Sequence, residues 1–298
     1  MSVPAAYLGI IMIWATTPLA IKWSSASVGF VFGVTARMVL GTLVCLLIIA
    51  ALRIPFAWHR QARLSYFASA LGIYGAMMCV YWGAQYISSG LVSVVYGLLP
   101  LVTTLLAALW MRSEFWQPNK LIGVVLGMAG LAVIFEPQDG ISRATLMGVG
   151  GVLGSVLLHS ISMLWLKRIA ADVPPLALTG GGLCVAVPFY LLTWWLLDGD
   201  LHLDMPMQAG MAIIYLGVVG SVVGFVLFYY VLKQLPADAI AIITLITPVL
   251  ALIIGNHLNH EPLTLHVMAG TGLILAGLGM NYWGRALLAK MGRIGACN

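Results

Sequence analysis

The interior of this sequence is almost free of charge, and apolar runs follow one another from residue 4 to residue 286. A membrane helix needs about 20 consecutive apolar residues. Runs of that kind, bounded by charges, Pro or Gly, fall at about 4–22, 30–52, 64–86, 89–111, 118–135, 145–166, 175–197, 208–231, 238–256 and 264–286. Only 8% of the residues are Asp, Glu, Lys or Arg and 62% are hydrophobic, whereas a water-exposed surface needs roughly 25% charged residues. A soluble enzyme is excluded. The expected fold class is an all-α polytopic membrane protein of ten transmembrane helices, with no loop long enough for a soluble domain and the lipid bilayer as its surroundings. In this setting the net charge of +5 reports orientation in the bilayer, and no nucleic-acid partner is expected.

Alternate loops test that orientation. With a cytoplasmic N-terminus, one side collects Arg53, Arg60, Arg63, Arg112, Lys120, Lys167, Arg168, Lys233, Arg285, Lys290 and Arg293, while the other holds Lys22 and Arg143. Asp198, Asp200 and Asp204 crowd a loop on that second side. The positive-inside rule then places both termini in the cytoplasm. The first run begins at Pro4 with no Lys or Arg before it, so it reads as a retained helix and not as a cleaved signal. Cys45, Cys79, Cys184 and Cys297 are scattered, without a disulfide framework or a zinc pattern.

Two stretches of the chain repeat. Pro100 is followed by Glu114 and then Gly123 and Gly130; Pro248 is followed by Glu261 and then Gly270 and Gly277. The two Gly lie nine and sixteen residues beyond the Glu in both copies, and one gap aligns the prolines. The chain therefore divides into a first repeat at 1–136, a linker at 137–144, a second repeat at 145–286 and a cytoplasmic tail at 287–298. Each repeat holds five spans. A copy that follows an odd number of spans enters the membrane from the opposite side, so the repeats are expected to be inverted, the architecture that underlies alternating access.

These two segments, the stretch WATTPLAIK at 14–22 and Arg37 in the second span resemble the EamA-type transporters of the drug/metabolite transporter superfamily, over nearly the whole chain. The pattern of aromatic and Met residues is similar to the YddG-type branch, which exports aromatic and other neutral amino acids. The resemblance implies a ten-helix basket in which spans 1–4 and 6–9 surround a central cavity and spans 5 and 10 stand outside as scaffold. One departure is that the second half has GGGLC at 180–184 and no counterpart of Arg37.

Several residues are candidates for the chemistry. Arg37 lies about 10 Å along the second span, at 1.5 Å per residue. A charge at that depth either snorkels to the interface or serves a function, such as gripping a substrate carboxylate. His159 sits mid-way along the sixth span, with Ser155, Ser162 and Met163 nearby. It reads either as a cavity group that changes protonation or as a structural histidine bonded to a neighbouring helix. Tyr74, Met78, Tyr81 and Trp82 in the third span, with Tyr96 in the fourth, form a stripe suited to an apolar substrate side chain or to ordinary helix packing. Trp14 and Thr17 complete the expected binding set, Thr17 offering its hydroxyl to a carbonyl freed by Pro18 or to substrate. Pro100 and Pro248 are the candidate hinges. The glycines of spans 5 and 10 are expected to pack helices closely, including a homo-oligomer contact. His257, His260, Glu261 and His266 lack the order of a catalytic metal site and read as a solvated loop. No Walker A loop, Rossmann fingerprint or nucleophile elbow occurs, so no cofactor or bound metal is expected and ATP-driven transport by this chain alone is excluded.

The reading that follows is a secondary transporter of the bacterial inner membrane exporting amino acids, aromatic and other neutral ones, by alternating access. No acid lies centrally in any span, which favours facilitated movement over proton antiport. Export of other small metabolites or of lipophilic cations is the alternative. An intramembrane enzyme or a non-transporting subunit is the reading from another class.

Overall fold

The computed structural model describes residues 2–111, 118–134, 142–202, 204–235 and 237–295. Glu114 and Trp116, Cys297 and most of the 137–144 linker lie outside them. Among the described residues the chain is helical throughout, with no strand. The helices are α1 (Val3–Ser25), α2 (Phe30–Ala51), α3 (Arg60–Gly83), α4 (Ser89–Tyr96 and Leu99–Met111), α5 (Pro118–Ile134) and α6 (Arg143–Ile169). They continue with α7 (Pro175–Leu197), α8 (207–234), α9 (Ala237–Asn259) and α10 (Leu265–Gly295). Seven of them contain a stretch long and apolar enough to cross a membrane: α1, α2, α3, α4, α6, α7 and α9. Two shorter apolar helices, Pro118–Ile134 and Met207–Val223, accompany them. With side chains such as Leu47, Met128 and Trp195 more than two-thirds exposed, the outer surface is suited to lipid and would aggregate in water.

Three pairs of helices, α2 with α7, α4 with α9 and α5 with α10, pack against each other and run antiparallel. Along α2 and α7, Thr35 donates to the Tyr190 carbonyl and Cys45 to that of Leu176. Along α4 and α9, Gly90 lies against Leu252 and Gly97 against Pro248. Along α5 and α10, a Cβ on Gly123 would stand 2.7 Å from the Gly277 carbonyl oxygen, and one on Gly277 would stand 2.6 Å from that of Gly123. Gly130 and Gly270 meet in the same reciprocal way. The glycine stripes of α5 and α10 are thus taken up by each other inside one chain. Part of the remaining packing is exchanged between the first five helices and the second five, although α1 also touches α2 and α4 without a comparable counterpart from α6. α1 lies on α8 and α9, as α6 lies on α3 and α4; α2 also lies on α8, as α7 lies on α3.

α3 and α8 each carry a π-helical stretch, Leu71–Ala76 and Leu216–Val223. Pro18 and Pro188 lie inside α1 and α7, which continue through them. At Pro100 the structure differs from a kinked continuous helix. α4 breaks at Gly97 and Leu98, and Pro100 is the second residue of the new segment, where its missing N–H costs little.

Around the loop after α9, His257, His260 and residues 262–265 are exposed, as expected of a solvated loop, but Glu261 departs from that expectation. Glu261 is buried, and its carboxylate caps the N-terminus of α4. It accepts hydrogen bonds from the backbone N–H groups of Ser89 and Gly90, the Ser89 hydroxyl and the Asn259 amide, at 2.9–3.1 Å. A helix N-terminus favours such an anion because its first N–H groups lack intrahelical partners. Burial alone would raise the Glu261 pKa, but the bonds from Ser89, Gly90 and Asn259 outweigh it and hold the carboxyl below its ordinary range. Nearby, Lys22 donates to the Ile87 carbonyl at 2.7 Å, closing the end of the preceding turn.

Candidate functional site

Arg37 anchors the most polar group in the helix interior. It projects from α2 and is 5% exposed. Placing an arginine at the centre of a membrane helix costs about 2.5–3.5 kcal/mol on insertion scales. Its surroundings answer that with hydroxyls: Nε donates to Ser221 Oγ of α8 at 3.3 Å, and Nη1 donates to the Tyr81 hydroxyl of α3 at 3.4 Å. The guanidinium also stands 6.0 Å from the Tyr81 ring centroid, within cation–π range. Both hydrogen bonds are longer than the 2.7–2.9 Å typical of charge-assisted pairs. No acidic side chain touches Arg37 among the described residues.

The π stretch of α8 explains why Ser221 can serve. Its hydroxyl donates to the Leu216 carbonyl, five residues back, at 2.9 Å, leaving its lone pairs for Arg37. The stretch in α3 is used in a similar way. Tyr190 of α7 donates to the Ile73 carbonyl, and Ser155 of α6 donates to that of Ala76. Both helices therefore offer carbonyls from their irregular turns to hydroxyl groups, a common use of π segments at functional sites.

Thr17 joins the Arg37 group over Gly220. A Cβ built on Gly220 would lie 3.6 Å from Arg37 Nη2 and 4.0 Å from Thr17 Oγ1. The Thr17 proton goes to the Ile13 carbonyl. Trp14 is close by on α1, its Nε1 3.9 Å from a Cβ built on Gly224. Tyr96 and His159 form a second group. The Tyr96 hydroxyl bonds Ser155 Oγ at 2.9 Å, and because the Ser155 proton is committed to Ala76, Tyr96 is the donor. The His159 ring stands edge-on to Tyr96 at 6.3 Å, and its Nδ1 is buried without a partner among the described residues.

Other members of the expected set lie apart. Tyr74 turns to α7, where its hydroxyl meets Thr193 Oγ1 at 2.6 Å and its ring meets that of Tyr190 at 4.9 Å. Trp82 packs on α6 beside Gly151 and stacks edge-on with Tyr86. Met78 is half-buried against the main core, and Met163 is 45% exposed, with no hydrogen bond or ring contact tying it to Arg37. Ser221 and Gly220 belong to the site although nothing in the sequence singles them out. A serine and a glycine in an apolar run look like packing residues until the helix is seen to widen there. Among the described residues no group of three His, Cys, Asp or Glu side chains could hold a metal ion.

Comparison with known proteins agrees with this framework. The EamA-like transporter family matches twice, at residues 3–136 and 146–283. An "Uncharacterized transporter" of Archaeoglobus fulgidus is 32% identical over 216 residues, 70% of this chain and 74% of that protein. "Uncharacterized transporter YoaV" of Bacillus subtilis is 25% identical over 92% of this chain and 95% of its own length. A "Probable amino-acid metabolite efflux pump" of Salmonella typhimurium is 27% identical over 66% of this chain and 68% of its own. A solved crystal structure shares the fold with a TM-score of 0.65 at 18% identity, covering 97% of this chain and 98% of that one. This multi-pass membrane protein belongs to the EamA-like transporter family.

Proposed function

We propose that the protein is a secondary transporter of the bacterial inner membrane that exports amino acids and related small metabolites by alternating access, across ten spans arranged as two inverted halves. The observation that carries this reading is the exchange pattern of the helix contacts. Swapping the first five helices for the second five exchanges the packing of α1 on α8 and α9 with that of α6 on α3 and α4, and that of α2 on α8 with that of α7 on α3. The pairs α2–α7, α4–α9 and α5–α10 map onto themselves with the helices antiparallel, while the contact of α1 with α2 has no comparable counterpart between α6 and α7. In such an arrangement, opening toward one side and opening toward the other involve equivalent contacts and similar energies. The two family matches along the chain support the duplication.

Pro248 and the break in α4 mark where the halves move. The first segment of α4 lies along α9, with Gly97 against Pro248. Beyond the break, Thr103 donates to Ser160 of α6 at 2.9 Å. On the other side of Pro248, Ile243 of α9 packs with Ile10 and Ile11 of α1. Loosening the Glu261 end while drawing the other ends together needs a bend near Gly97 and Pro248.

Substrate binds beside Arg37, with the Tyr81, Tyr96 and Trp14 side chains at its body. The buried cation favours a carboxylate and disfavours lipophilic cations. The name of the Salmonella relative, an amino-acid metabolite efflux pump, supports the substrate class. Flux of labelled Phe, Tyr and Trp from proteoliposomes, with and without a pH gradient, tests the proposal. Movement independent of the gradient is expected, and failure of all three to move while an unrelated metabolite moves overturns the substrate class.

A further inference from the structure

Resting on the transporter reading, we infer that the Arg37 site selects carboxylate monoanions with an apolar or aromatic body, such as 2-hydroxy or 2-keto acids, ahead of zwitterionic amino acids. The argument is a balance of charge at one place. The described helices contain a single acid, Asp238, at the second residue of α9. Arg37 is nearly sealed from solvent and meets only the neutral hydroxyls of Ser221 and Tyr81 at long distances.

The guanidinium carries five N–H donors, and Nη2 faces the surface of Gly220. A Cβ built there would lie 3.5 Å from Leu216 Cδ2, 3.6 Å from Nη2 and 4.0 Å from Thr17 Oγ1, all ordinary contact distances. One carbon-sized atom fits in that notch without a clash, and this is where the carboxylate oxygen is placed beside the cation. A monoanion seated in it neutralises the site. A zwitterion brings its ammonium within a few bonds of the same carboxylate, close to the guanidinium. Repulsion there is strong in a medium of low dielectric, and no anionic side chain touching the group is described to receive the ammonium.

The test compares 3-phenyllactate with phenylalanine, which differ at the 2-position, hydroxyl against ammonium. With full-length protein in liposomes at pH 7.5, and protein-free vesicles as blank, protein-dependent flux of phenyllactate is expected to exceed that of phenylalanine at least tenfold at equal concentration. Gly220→Ala fills the notch without a steric clash and is expected to cut phenyllactate flux at least tenfold at wild-type yield and monodispersity. Gly150→Ala, which adds its methyl to open space, leaves flux unchanged. Phenylalanine moving as fast as phenyllactate, or a well-folded Gly220→Ala transporting like the wild type, overturns the inference and leaves the transporter reading standing. Neither compound moving overturns both.

Discussion

The Glu261 carboxylate holds both polar groups at the start of α4 that Ser89 offers, its backbone N–H and its hydroxyl, each at 2.9 Å. The bond joins a loop of the second half to a helix of the first.

Removing the carboxylate strands these donors. Glu261→Ala is expected to destabilise the protein by about 2 kcal/mol, the cost of unsatisfied buried donors. Glu261→Gln, which keeps one acceptor, is expected to cost less. Thermal unfolding in detergent reads both. Because the folded protein holds this carboxyl below its ordinary value of 4.5, it stabilises the fold fully above that value. The contribution is lost as pH falls through the lower folded value. The variants should therefore differ from wild type at pH 7 and converge with it in strong acid, and a pH-independent difference would contradict the clasp.

The contact between α5 and α10 predicts a contrast within one helix. A Cβ on Gly270 collides with the Gly130 carbonyl, whereas one on Gly272 meets nothing within 4 Å. Gly270→Ala should lower the melting temperature by several degrees, and Gly272→Ala should leave it unchanged or raised, because Ala gains up to about 1 kcal/mol over Gly in a helix. Equal effects would mean that the reciprocal glycine contact does not form.

Arg37→Lys keeps the charge and loses the planar fork. Export of a carboxylate substrate should fall tenfold to a hundredfold, as expected for losing about 1.5–3 kcal/mol of hydrogen bonding to a charged group. Flux measured at matched protein levels checks this, and unchanged flux would reduce Arg37 to a structural tie between α2, α3 and α8.

Pro248→Ala restores a backbone donor in the middle of α9. If that helix bends during transport, the turnover rate should fall two- to tenfold while stability holds or rises. A turnover rate at the wild-type level would remove Pro248 from the moving parts.

Much of this was legible in the sequence, because a lipid-facing helix must be apolar over its whole length and the runs show where each one lies. Arg37 stood out for the same reason, as a charge where charge is costly. Its partner Ser221 did not, since serine is common in apolar helices and the π turn that aims it depends on packing between α2 and α8. Glu261 was misread because it lies close to the exposed His257 and His260. Its burial depends on the end of α4, distant in sequence. The stripe of Tyr74, Tyr81 and Trp82 was real as a pattern, but helical spacing gave no means of telling which ring faces Arg37, which α7 and which α6.

The most direct measurement is the sidedness of two corresponding loops. Cys45, Cys79, Cys184 and Cys297 are replaced by serine, and His59→Cys, before α3, and Asp200→Cys, before α8, are introduced singly. Inverted halves predict that an impermeant maleimide labels the Asp200→Cys protein in intact cells and the His59→Cys protein only after permeabilisation. Labelling of both from the same side would contradict the account.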